Sequence, residues 1–272
     1  MTEEKYMKNF LRIALVLLTF GMLTACGDDD DNLTAVRQLT LYGTTLGTTI
    51  LGPSDLVLLN PTTGAYIRTI GSVGYNVNGL EYDRTTGKLY GTTGQSDPDF
   101  PNGLIEINQT TGLGTPIGIG AGMLVNNPTV NSLGQMFAWS EDFDDLVTIN
   151  KVTGVATVVG DSGLSTFEHG LAFDNDDILV FVNGDGLTYT INTVTGAATP
   201  IGDIGQRAHH GDFSPVTDLY LGIDETDDSA AGAPERNLLA VDVADSLILD
   251  SLPTADYLHT VSFGYRWIFV SM

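Results

Sequence analysis

Leu59-Asn60-Pro61-Thr62-Thr63-Gly64 is a string to which this chain keeps returning. It comes back as Ile107-Asn108-Gln109-Thr110-Thr111-Gly112, as Ile149-Asn150-Lys151-Val152-Thr153-Gly154 and as Ile191-Asn192-Thr193-Val194-Thr195-Gly196. Val241-Asp242-Val243-Ala244-Asp245-Ser246 is a worn fifth copy. The Asn/Asp positions lie 48, 42, 42 and 50 residues apart. Alternating residues flank each copy, as Leu56 and Leu58 do before Asn60 and Ala65 to Ile70 do after it, which is the signature of a β-hairpin. Asn or Asp caps such a turn through its own backbone, and Gly takes the positive-φ position. A period of this length with one hairpin per repeat matches one four-stranded propeller blade.

A second strand pair follows each hairpin. Gly79 to Asp83 with Lys88 to Gly91 is the clearest, and Gly170 to Asp174 with Ile178 to Val182, and Gly211 to Phe213 with Leu219 to Ile223, match it. Pro128 to Val130 with Met136 to Trp139, and Thr260 to Phe263 with Trp267 to Val270, bring the expected inner pairs to five. No stretch from 39 to 272 carries a helical period of useful length. The fold class read from this is all-β: a propeller of four-stranded antiparallel blades over 39–272. Leu39 to Thr44 matches the second strand Leu89 to Thr92, so an N-terminal strand is expected to close the ring and hide its edge. Five blades is the count, and that surplus strand leaves six open.

The start of the chain reads as a targeting segment. Lys5, Lys8 and Arg12 precede an apolar run, Ile13 to Leu23, that is short for a bilayer span. Leu23-Thr24-Ala25-Cys26 resembles the lipobox of bacterial lipoproteins, which implies cleavage after residue 25 and lipidation of Cys26, the only cysteine present. By similarity to the sorting of enteric lipoproteins, Gly27 favours the outer membrane. Residues 26–38, with Asp28 to Asp31, read as an acidic tether. A lone, lipidated cysteine leaves neither disulfides nor thiol chemistry. Beyond residue 25 stand 8 basic against 32 acidic residues, a net charge of −24, which repels nucleic acid.

The propeller repeat resembles bacterial propellers of the YVTN and quinoprotein-like kind, whose strands end in Asn/Asp-x-x-Thr-Gly. The quinoprotein motif also implies a Trp four residues after that Gly. Arg68, Pro116, Val158 and Pro200 occupy those places, which argues against a pyrroloquinoline quinone enzyme. Gly160-Asp161-Ser162-Gly163 is similar to the nucleophile string of trypsin-like proteases. Its repeat mates Gly71 to Gly74 and Gly202 to Gly205 do not hold the serine in that place, so the string is read as structural.

One equivalent position per blade carries chemistry. Just before each inner strand stand Asn78, Asn127, His169, His210 and His259, spaced by 49, 42, 41 and 49 residues. Such side chains converge at the mouth of a central channel. Neutral imidazoles there would suit a transition metal, with Glu168 as orienting carboxylate; alternatively the ring bonds neighbouring blades together. Asp224, Glu225, Asp227 and Asp228 offer oxygens for calcium in a flexible loop, against the simpler reading of a solvated acidic turn, which also suits 141–145 and 174–177. Insertions at 95–103 and 224–237 are candidate recognition loops, with Phe100 and Tyr82 as aromatic candidates.

Two functions follow as expectations. The first is a monomeric, lipid-anchored binding or scaffold protein of the bacterial cell envelope, with a protein or glycan partner at the propeller loops. The second is a metal-dependent hydrolase or lyase working at the His/Asn ring.

Overall fold

The repeated turn is held by its own asparagine. Asn60 Oδ1 accepts the N–H groups of Thr62 (2.8 Å) and Thr63 (3.0 Å), and Gly64, at φ 67°, donates to Asn60 O at 2.9 Å. Asn108, Asn150 and Asn192 build the same turn. The worn copy keeps the shape: Asp242 Oδ1 accepts Asp245 N at 3.3 Å, and Ser246 takes φ 52° where the others place glycine.

The computed structural model describes residues 33–46, 52–224, 236–255 and 257–271. β1 (Leu33–Thr45), β2 (Asp55–Leu59) and β3 (Tyr66–Ser72) form three strands of the first blade. β4 (Val77–Asp83), β5 (Lys88–Thr93), β6 (Leu104–Ile107) and β7 (Gly114–Ile117) form the second; β8 (Val125–Val130), β9 (Met136–Ser140), β10 (Asp145–Ile149) and β11 (Ala156–Asp161) the third. β12 (Gly170–Phe173), β13 (Leu179–Val182), β14 (Leu187–Ile191) and β15 (Ala198–Asp203) are the fourth; β16 (His209–Phe213), β17 (Tyr220–Asp224), β18 (Asn237–Asp242) and β19 (Leu247–Pro253) the fifth. The remaining strand, β20 (Leu258–Ser271), joins the first blade as its innermost member in the order β20-β1-β2-β3. The protein is thus an all-β, five-bladed propeller of antiparallel sheets, closed by strands from both ends of the chain. There is no helix among the described residues.

Two boundaries differ from expectation, for one reason. Trp267 to Val270 is not a separate strand folded back on Thr260 to Phe263; both stretches belong to continuous β20. Its outer half pairs with the start of β1, from Leu33↔Ser271 to Leu39↔Tyr265, so β1 begins before the expected Leu39. The fifth inner pair is therefore β20 with β1. Among the described residues no strand is left over for a sixth blade. Beyond the blade, the two strands run on as a ribbon.

Inner strands β20, β4, β8, β12 and β16 touch in a closed cycle around the axis. Each strand's period of two feeds two different cores. In the first blade Leu41, Val57 and Leu59 face the fifth blade, while Tyr42, Leu56 and Leu58 face the second. Three further clusters fill the other junctions, the one between blades three and four built on Trp139, Phe137, Phe173 and Phe181. The glycines after each hairpin let the neighbouring turn approach. A Cβ on Gly71 would run into the carbonyl of Thr111, beside Gly112, and Gly160 stands in the same relation to Thr195. Ser162, in the protease-like string, donates to Asp144 O at 2.7 Å and is 5% exposed, a packing role.

Candidate functional site

The channel wall is stitched by side chains of the inner strands. Ser262 Oγ accepts Tyr82 N (2.9 Å), Glu81 Oε1 accepts Val130 N (2.8 Å), Thr129 Oγ1 accepts Phe173 N (3.2 Å) and Asp212 Oδ2 accepts Phe263 N (2.7 Å). Each bond runs from one blade to the backbone of the next. The equivalent residue in the fourth blade is Ala172, which has no acceptor to offer. There Phe213 N turns to Asp212 Oδ1 of its own blade at 2.7 Å. Two buried carboxyls in so narrow a wall repel. Burial, then the nearby Asp212 charge, pushes Glu81 well above the usual carboxylate range. Burial also raises Asp212, against the pull of Arg84 at 3.7 Å. Ser262 Oγ lies between the two, 3.1 Å from Asp212 Oδ2 and 3.4 Å from Glu81 Oε2.

The His/Asn positions gather at the end of the channel where the inner strands begin. Asn127 Nδ2 donates to His169 O at 2.9 Å, and Asn127 Oδ1 lies 2.7 Å from His210 Nδ1. The His210 ring is 4.8 Å from that of His259 and 4.7 Å from that of His209. Asn127 and His210 both sit at positive φ where the inner strands bulge. His169 is packed away, its ring 4.9 Å from Phe181 and 5.7 Å from Trp139. Burial, with His209 adding to it, pulls its pKa down to about 3. His169 Nε2 lies 3.3 Å from Glu141 Oε1, the separation of an ion pair, yet the imidazole is neutral and burial raises Glu141. Burial, then His209, His259, His169 and Arg236, lowers His210 well below the ordinary value. Asn78 is half-buried beside Gly94. Among the described residues no group of three or more His, Cys, Asp or Glu is placed to hold a metal ion. Glu168 pairs instead with Arg207 at 2.6 Å.

The acidic turns within the described residues spend their oxygens on backbone. Asp142 accepts Leu124 N at 2.9 Å, Asp174 accepts Asp176 N and Ile178 N, and Asp177 accepts Ser132 N at 2.8 Å. Asp97 folds the 95–103 insertion by accepting Asn76 N, Asp99 N and Phe100 N. Phe100 packs edge-on against Tyr75, and Tyr82 is buried against Tyr42, their rings 6.2 Å apart. Asp224 is buried at the end of β17. Glu225, Asp227 and Asp228 lie outside the described residues, as do Cys26 and the apolar run before it.

At the opposite end of the channel, beside the turns that follow the inner strands, is a cleft of about 840 Å³. The β1–β20 ribbon forms one wall with Arg37, Tyr265, Arg266 and Trp267; the β4–β5 turn forms the other with Arg84, Thr85 and Lys88. Arg68 enters from β3, and Glu106 is the sole carboxylate of the lining, 2.7 Å from Lys88 Nζ. Tyr42 reaches it from within the core and donates its hydroxyl to Gln109 Oε1 at 3.0 Å. Burial, then Tyr82, lifts the Tyr42 pKa to about 12, so the phenol stays protonated. The cleft can grip anions and flat ring faces.

Sequence reasoning passes over this cleft because its residues come from β1, β20, β3 and two turns in between. The signal available was scarcity: of the 8 cations beyond residue 25, five line one cavity.

No protein-family model and no curated protein matches the chain. Among solved structures it is similar to a chain of a nidogen/laminin complex, at 14% identity and TM-score 0.53, with 84% of this chain and 98% of that one covered. It is also similar to TolB from Acinetobacter baumannii, at 10% identity and TM-score 0.53, covering 84% of this chain and 66% of TolB. At such identities the likeness is one of fold: both support the β-propeller.

Proposed function

We propose that the chain is a lipid-anchored binding protein of the bacterial cell envelope, held by Cys26 in the outer membrane, with its ligand seated in the cleft under the β1–β20 ribbon. The cleft carries this reading. Its lining is rich in donors and ring faces, and its one carboxylate is already neutralised by Lys88. That suits holding a ligand better than acid–base chemistry, which needs a carboxyl or imidazole poised to exchange a proton. The lipobox-like Leu23-Thr24-Ala25-Cys26 supports the anchor, and the net charge of −24 supports a partner other than nucleic acid. The chain acts as a monomer on this view.

Native mass spectrometry of the full chain extracted from bacterial membranes tests it. The wild-type chain is expected to carry a bound mass that Arg68→Glu with Arg266→Glu loses, and Cys26→Ala to release the chain from the membrane fraction. A wild-type chain that carries no ligand, whatever the extraction, would overturn the binding reading.

A further inference from the structure

The geometry points to an acidic oligosaccharide, sugar rings bearing carboxylate or sulfate groups, as the ligand of the ribbon cleft. This rests on the binding function just proposed and names its ligand class. Charge is the first argument. With 32 acidic residues beyond residue 25, cations scattered at random would mostly be paired off. Five of them collect here around a single carboxylate. Among the described residues Arg37, Arg68 and Arg266 have no carboxylate within 4.0 Å. Arg266 donates to Gln38 Oε1 (3.1 and 2.9 Å), and Arg68 reaches only Thr69 O at 3.5 Å. A guanidinium has five N–H donors in a fork, so each keeps donors for a carboxylate or sulfate.

Shape and ring faces narrow the class. A single inorganic anion leaves most of about 840 Å³ empty, a volume near the top of the range for small-molecule sites. Arg37 pairs in register with Trp267 and lies 4.5 Å above the Tyr265 ring, so these three share one face of the ribbon. Trp267 is 57% exposed, an apolar plane beside the Arg37 guanidinium, while Arg266, between Tyr265 and Trp267, pairs with Gln38 on the other face of the ribbon. A sugar ring presents a matching pair of features, a flat C–H face and a charged substituent.

Calorimetric titration of the full chain tests the class. The probes are trigalacturonate, a sulfated disaccharide, maltotriose, tetra-aspartate and inorganic sulfate. The acidic sugars are expected to bind, more weakly as salt rises, and whichever of the two binds tighter names the acid group. Arg68→Ala and Arg266→Ala are each expected to weaken binding by about tenfold with melting unchanged, as one charge-assisted contact is lost. Arg207→Ala, paired to Glu168 away from the cleft, is expected to bind as wild type does. Equal binding of tetra-aspartate or sulfate would overturn the sugar class. Equal binding of maltotriose would overturn the anion preference while leaving the binding function intact. Failure of every probe, with a ligand still carried by the extracted chain, would overturn the class alone; failure of both would remove the binding function as well.

Discussion

Asp212 Oδ2 takes the backbone N–H of Phe263 at 2.7 Å, and through that bond the fifth blade is latched to the strand that closes the ring. Asp212 also caps Phe213 N at 2.7 Å. Asp212→Ala leaves two buried N–H groups without acceptors, and a stability loss of about 2–3 kcal/mol is expected in urea unfolding. Asp212→Asn keeps one acceptor oxygen but turns its NH2 toward the other N–H, so it should lose at least half of that yet less than the alanine variant. Equal losses for both variants would mean that one remaining acceptor does not hold the latch.

His169 gives an acid-sensitive term. Its folded pKa of about 3 lies below the unfolded value near 6.5. Its contribution is therefore intact above about pH 6.5 and is lost as pH falls toward 3, by about 2 kcal/mol at pH 5. His210, lowered in the same direction, adds to the loss. Glu81, Asp212 and Glu141 are raised, so their contribution is full below their unfolded pKa values and lost as pH rises through the folded ones. Their opposition makes the wild-type profile a sum, and the His169 share is the difference from His169→Phe. Chemical denaturation at pH 7 and pH 5 should show the variant losing less.

Gly112 sits at φ 85°, and a Cβ added there would run into the Gly71 carbonyl. Gly112→Ala is expected to cost about 2 kcal/mol or more, from left-handed strain and the lost approach between blades one and two. A melting temperature unchanged by Gly112→Ala would refute the packing role given to the landmark glycines.

Net charge predicts a salt response opposite to that of ligand binding. At −24 beyond residue 25, self-repulsion weakens the folded state. Raising sodium chloride from low to moderate should stabilise the free protein by about 1 kcal/mol, roughly 2–4 °C. Scanning calorimetry of the ligand-free chain reads this directly.

The hairpins, their turn chemistry and the number of blades were legible because Asn60 and its repeat mates act within a few residues of themselves. His169 and His210, aligned by spacing, lie at one mouth with Asn127, but spacing carries no information on burial, and burial is what keeps the imidazoles neutral. The wall of Ser262, Glu81, Thr129 and Asp212 stood in the aligned strands, yet its four residue types share only an acceptor oxygen. Residue-type patterns miss such a ring; acceptor patterns would find it. Arg37 and Arg266 were invisible as neighbours because their juxtaposition depends on the pairing of β1 with β20, at opposite ends of the chain.

That pairing also sets an order of events. Leu41 waits for Phe263, so the first blade made has no innermost strand until β20 has emerged, after the other four blades. Until then its inner edge is bare, and the channel wall lacks both Ser262 and the backbone that Asp212 grips. Long-range closure of this kind is slow relative to hairpin formation. The molecule is assembled like a bracelet whose clasp is threaded last: its ring stays open, one edge unpaired, until β20 arrives, and only then does it become a closed body.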